Sequence, residues 1–190
     1  MTSNSTSTAR DLGLLGARVI LGGYLTAHGA QKLFGVLEGP GLDAAGAGFA
    51  SMGLTPGKPM AALAAGSEFF GGIATVAGIA DPIGPLAMVG TMAVATAVHA
   101  PQGPFSSKGG YELTLANLAL GTALVAAGPG RFRLTPGLAP KLAQTAAVIG
   151  GGLTALSIAK LLKARKAQAA AAAAAPAPVE DPTEADVEVA

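Results

Sequence analysis

From Leu12 to Phe34 the chain is almost wholly apolar, yet the run holds Arg18, His28, Gln31 and Lys32. About 23 residues of helix reach ~35 Å, enough for the ~30 Å hydrocarbon core of a bilayer. In such a span ionisable groups are costly and turn toward a protein interior or a water-filled cavity. The run therefore requires further helices to face. Composition agrees: 12% of the residues are charged, about half the share in an ordinary soluble domain. The mean hydropathy is +0.51, and the 28 glycines suit close helix packing in a membrane.

Three more apolar stretches follow, each bounded by breakers. The second runs from about Pro59 to Ala80, with proline in its first turn, and Asp81-Pro82-Ile83-Gly84-Pro85 ends it. The third, Ile83 to Ala100, stops at Pro101-Gln102-Gly103-Pro104, and the fourth, Tyr111 to Ala127, stops at Gly128-Pro129-Gly130. Leu142 to Leu162 reads as a fifth hydrophobic helix, although Gln144, Gly150-Gly151-Gly152 and Lys160 interrupt it. The expectation is an all-α integral membrane four-helix bundle with a fifth hydrophobic helix and a disordered C-terminal tail. Its parts are a disordered polar lead over 1–11, a core over 12–135, a linker and fifth helix over 136–166, and an Ala/Pro/acidic tail over 167–190. The Ser/Thr-rich lead, with only Arg10 as a cation before a long apolar run, is not expected to act as a cleaved signal peptide. Between the first two spans lies a Gly/Ala-rich loop, Gly35 to Lys58, in which Ala44 to Met52 could form a short interfacial helix.

Orientation depends on the fifth stretch. With four spans, Arg10, Arg18, Arg131, Arg133, Lys141, Lys160, Lys163, Arg165 and Lys166 share one side, against Lys32, Lys58 and Lys108. A fifth crossing moves the last four of that group across and reverses the balance, so the positive-inside rule then favours the opposite orientation.

Several function classes drop out. A net charge of +1 leaves no nucleic-acid footprint. Without cysteine the chain has no disulfide, thiolate metal site or Cys-ligated cluster of its own. Redox chemistry would need a bound cofactor or a partner. No zinc pattern, phosphate loop or nucleophile triad is present, and no metal site is expected.

Depth counting gathers the polar groups. His28 lies ~9 Å from the end of the first span, and Glu68 ~13 Å from that same surface. His99 closes the third span and Glu112 opens the fourth, so four ionisable groups from successive helices fall on one side. Gln31 and Lys32 share that level. Arg18 sits deeper, one or two turns below Glu68, where an ion pair between the two would offset both charges. The candidate ligand-binding residues are thus Arg18, His28, Gln31, Lys32, Glu68, His99 and Glu112. Each also has a simpler reading: Lys32 can snorkel to the interface, Glu112 can favour a helix N-terminus, and His99 can satisfy its loop. Haem ligation by His28 and His99 is geometrically conceivable, but with two histidines and no supporting pattern it is not expected.

Arg18, HGAQKLFG (28–35), GSEFFGG (66–72), His99 followed by GGYE (109–112), and GPGRF (128–132) together resemble the DoxX family of small membrane proteins. The resemblance covers about residues 12–135. Phe132-Arg133-Leu134-Thr135 departs from the family's frequent aromatic-Ser-Leu-Asp ending, and the fifth stretch and tail lie outside it. The resemblance implies four membrane helices with polar residues at these positions. It also implies association with quinone-coupled sulfur oxidation, terminal oxidases, or a redox-stress complex with superoxide dismutase and a sulfurtransferase.

The functional expectation is a redox-associated subunit of the cell (inner) membrane, its cofactor unassigned with a quinone as the candidate, and with other membrane or peripheral oxidoreductase subunits as candidate partners. Any enzyme activity would belong to a quinone-linked oxidoreductase complex. The alternatives are a non-catalytic scaffold that docks peripheral enzymes and, ranked last, a small-solute or proton pathway. The last lacks the internal inverted repeat common in transporters.

Overall fold

A computed structural model describes residues 3–174, with side chains from residue 7 onward. Six α-helices follow in order: α1 (Ser3–Phe34), α2 (Gly41–Ser51), α3 (Gly57–Ala77), α4 (Ile83–His99), α5 (Glu112–Ala127) and α6 (Pro140–Ala174). Two short 3-10 turns, Ala100–Gln102 and Ser106–Lys108, lie between α4 and α5. The protein is an all-α membrane helix bundle. By length and composition α3, α4 with its following turn, and α6 can each cross a membrane, while α5 is a shorter apolar helix.

The bundle closes through contacts of α1 with α3, α3 with α4, α4 with α5, and α5 with α1. Its centre is Leu21, Leu25, Met88, Met92 and Leu124, with Leu14, Ala17, Leu118 and Leu120 packed around them. The α1–α3 seam is antiparallel and built on small residues. A Cβ on Gly22 would lie 2.8 Å from a Val76 methyl, and one on Gly29 would lie 2.7 Å from the Ala65 carbonyl oxygen. These pairings set α1 residue 29 level with about residue 67 of α3, and residue 22 with about residue 74.

α6 packs on the outer side of α4 and runs parallel to it. A Cβ on Gly90 would meet Thr154, and further along Leu161 is buried against Val98 and Leu54. The fifth hydrophobic stretch is thus part of a 35-residue helix, extending beyond both expected ends. It continues through the alanines to Ala174, where the expected tail had no order, because alanine has the best intrinsic helix propensity. The remainder of that tail, 175–190, lies outside the described residues. The polar lead is helical from Ser3, continuous with the rest of α1, which with Arg18, His28, Gln31 and Lys32 in it is not among the helices apolar enough to cross a membrane by composition. α2 occupies the interfacial segment anticipated at Ala44–Met52 and packs on α3.

Helix ends inside an apolar protein leave carbonyls that need donors, and here two arginines supply them. α3 ends in a left-handed Gly78, with Ile79 N–H donating to Ala74 O and Gly78 N–H to Thr75 O, the paired bonds of a Schellman motif. Arg18 of α1 then donates from Nε to Thr75 O at 2.7 Å and from Nη2 to Val76 O at 2.6 Å. Its Nη1 donates to Pro129 O and Phe132 O, beyond α5, and Leu134 N–H takes Ala77 O. At the other end of the bundle Arg165 of α6 donates to Ala97 O and Val98 O, near the end of α4.

Candidate functional site

A cavity of about 1230 Å³ opens between α1, α3, α4, α5 and α6, lined mainly by aliphatic side chains. Near the end where α1 finishes and α3 begins it carries polar groups: His28, Lys32, Ser67 and Glu68, with His99 from α4. Four of the seven residues singled out from the sequence therefore share one cavity. Arg18, Gln31 and Glu112 do not line it.

The principal polar contact is an ion pair, Lys32 Nζ to Glu68 Oε2 at 2.5 Å, with side-chain exposures of 24% and 6%. The helix register explains it. Glu68 is level with His28, not with Lys32, but a helical side chain leans back toward the N-terminus of its own helix. Lys32 reaches back one turn, so that its ammonium also lies 3.5 Å from the His28 carbonyl oxygen. An ammonium has three hydrogens. One goes to Glu68 and one to His28 O, and the third remains for a further acceptor.

The remaining histidines are oriented. The ring of His28 meets Tyr24 edge-on, with centroids 4.4 Å apart. His99 Nδ1 lies 2.7 Å from Gly109 O. Since a carbonyl only accepts, Nδ1 carries the hydrogen, and the ring is held with Nε2 on its other side.

The expected Glu68–Arg18 ion pair does not form. In the α1–α3 register Arg18 is level with Gly78, about ten residues or ~15 Å along α3 from Glu68, and its guanidinium is taken up by four backbone carbonyls. Gln31 donates from its side chain to Leu37 O and fixes the turn after α1. Glu112 accepts from the backbone N–H of Ser106 at 2.9 Å and also from the Ser106 hydroxyl, so it holds the α4–α5 loop, the simpler of its two readings. Asn117 of α5 and Thr154 of α6 also line the cavity. Asn117 had a signal in the sequence, as the one carboxamide in the fourth apolar stretch. Thr154 had none, because its place depends on how α6 packs. Among the described residues no group of three or more His, Asp or Glu gathers to hold a metal ion.

The site can bind an apolar body and engage polar atoms at one end of it. Lys32 supplies a donor, and Glu68, His28 and His99 bring a carboxyl and two imidazoles to the same end. Residues 13–100 match the model of the family described as DoxX. That segment spans α1 to the end of α4 and contains His28, Lys32, Glu68 and His99, while Glu112 and α6 lie beyond it. No curated protein and no solved structure matches the chain.

Proposed function

Residues 13–100 match the DoxX family model, and we propose that the chain is a redox-associated, multi-pass subunit of the cell membrane that binds a quinone-type ring in the cavity. The observation carrying this reading is the distribution of polarity: a largely aliphatic chamber of about 1230 Å³ with the Lys32–Glu68 pair and two histidines near one end. A quinone needs an apolar slot for its ring and prenyl tail, and donors for its carbonyl oxygens. The chamber walls of α4 and α6 fit the first requirement, and the third N–H of Lys32 fits the second.

When bound, a quinone supplies reversible two-electron, two-proton chemistry. The protein's part is to orient the ring and manage protons. Lys32 holds a carbonyl oxygen, and Glu68, set against Lys32 in a low-dielectric site, exchanges a proton next to it. His99 is fixed through Nδ1 to Gly109 O, with Nε2 on the other side of its ring.

The test is quinone content in protein purified in mild detergent, measured by mass spectrometry of its lipid extract, together with quinone-linked turnover in membranes. Wild type is expected to retain ubiquinone or menaquinone, and Glu68→Gln to retain less and turn over more slowly while still folded by thermal unfolding. Wild type without quinone, together with unchanged turnover in Glu68→Gln, would remove the proposal.

A further inference from the structure

Helix α6 is about 52 Å long, against ~30 Å of hydrocarbon, so it must emerge from the bilayer. Its level is set by Leu161, buried against Val98, and by Arg165, which donates to Ala97 O and Val98 O just before α4 ends at His99. The segment 160–166 therefore straddles the membrane surface. At ~100° per residue, Leu161 and Arg165 lie ~40° apart on the face held by α4. Lys163 falls opposite that face, with Lys160 and Lys166 ~60° to either side of it.

All three lysines are exposed. No acidic residue occurs between Pro140 and Ala174. Among the described residues, Lys32, Lys58 and Arg131 have carboxylate partners, whereas the side chains of Lys160, Lys163 and Lys166 have neither an ion pair nor a hydrogen bond. They form a stripe of uncompensated cations, pinned in azimuth and aimed outward at headgroup level. We propose that Lys160, Lys163 and Lys166 bind the headgroups of anionic phospholipids in the leaflet where α4 ends. Each such lysine contributes roughly fivefold in affinity for an anionic surface, and flexible ammonium stems suit mobile phosphates better than one rigid partner. The assignment also identifies that leaflet as cytoplasmic, in keeping with the five-crossing charge count.

The experiment reconstitutes the full chain in nanodiscs of equal phosphatidylcholine and phosphatidylglycerol, then counts retained lipids by native mass spectrometry. Wild type should retain phosphatidylglycerol several-fold over phosphatidylcholine, and high salt should erase the preference. The variant Lys160→Gln/Lys163→Gln/Lys166→Gln should lose the preference with its unfolding temperature kept, because Leu161 and Arg165 are untouched. Equal retention of the two lipids by wild type, or an unchanged preference in the triple variant, would overturn the proposal. So would a preference that arises only after residues 175–190 are deleted. Glu180, Asp181, Glu184, Asp186 and Glu188 would then be the stripe's occupant.

Discussion

Lys32 and Glu68 join α1 to α3 through a 2.5 Å ion pair in which the carboxylate is the buried partner and the ammonium keeps some access to water. Removing one member of a buried pair strands the other and costs about 3–5 kcal/mol. Lys32 can turn toward solvent, so Glu68→Gln should fall near the low end of that range. Lys32→Met leaves a carboxyl that can neutralise itself by taking a proton. The double variant should lose less than the sum of the singles by about 1–3 kcal/mol. Unfolding in detergent micelles measures all three, and strict additivity would mean the pair is not coupled.

Arg18 acts through geometry as much as charge. Its planar fork reaches four carbonyls on two separate segments, which a lysine ammonium cannot span. Hydrogen bonds to a charged donor are worth about 1.5–3 kcal/mol each. Arg18→Lys should therefore lose at least about 3 kcal/mol of stability, and protease sensitivity should rise first around residues 128–135. A lysine variant as stable as wild type would show that the carbonyls find other donors.

Two glycines on α1 separate packing from composition. A Cβ on Gly29 would lie 2.5 Å from Phe69 N and 2.7 Å from Ala65 O, whereas one on Gly23 meets nothing within 4 Å. Gly29→Ala should force the α1–α3 seam apart, cost about 1–3 kcal/mol and disturb the Lys32–Glu68 pair. Gly23→Ala should be neutral or slightly stabilising. Thermal unfolding of the two single variants decides, and equal effects would refute this seam.

Asp81, in the turn between α3 and α4, has its pKa raised by burial, with Arg18 and Arg133 opposing the rise. A carboxyl raised on folding contributes stability that is fully present below its unfolded pKa and is lost as pH rises through its folded value. Wild type should therefore gain stability on mild acidification, just above the ordinary carboxylate range. Asp81→Asn should remove that part of the pH dependence. A pH profile identical in the two proteins would contradict the assignment.

Much of this could be read from residue order. Gly128-Pro129-Gly130 marks where α5 ends and Asp81-Pro82 where α4 begins, because proline and left-handed glycine cannot continue a helix, while α3 stops earlier than expected, at the left-handed Gly78. Depth counting brought His28, Glu68 and His99 to one side of the bundle, since axial rise is the one coordinate a helical sequence fixes well. Register and azimuth were hidden. Glu68 and Arg18 looked one or two turns apart until the glycine seam set Arg18 level with Gly78. Lys32 looked like an interfacial lysine because its Cα lies a turn beyond Glu68, and only its backward lean makes the pair. Arg18 and Arg165 both serve backbone carbonyls, acceptors that carry no signature in side-chain sequence.

The central claim is that the polar-ended cavity holds a quinone-type ring, and blocking the cavity tests it most directly. Ala64 lines the chamber one turn before Glu68 and level with Lys32, so Ala64→Phe fills the polar end of the space. The measurement is equilibrium binding of a short-tailed ubiquinone analogue to protein in lipid nanodiscs. Wild type and Glu112→Gln should bind alike and saturably, while Ala64→Phe, unfolding at the wild-type temperature, should bind at least about tenfold more weakly, or about 1.4 kcal/mol. Undiminished binding by Ala64→Phe, or no saturable binding by wild type, would contradict the account.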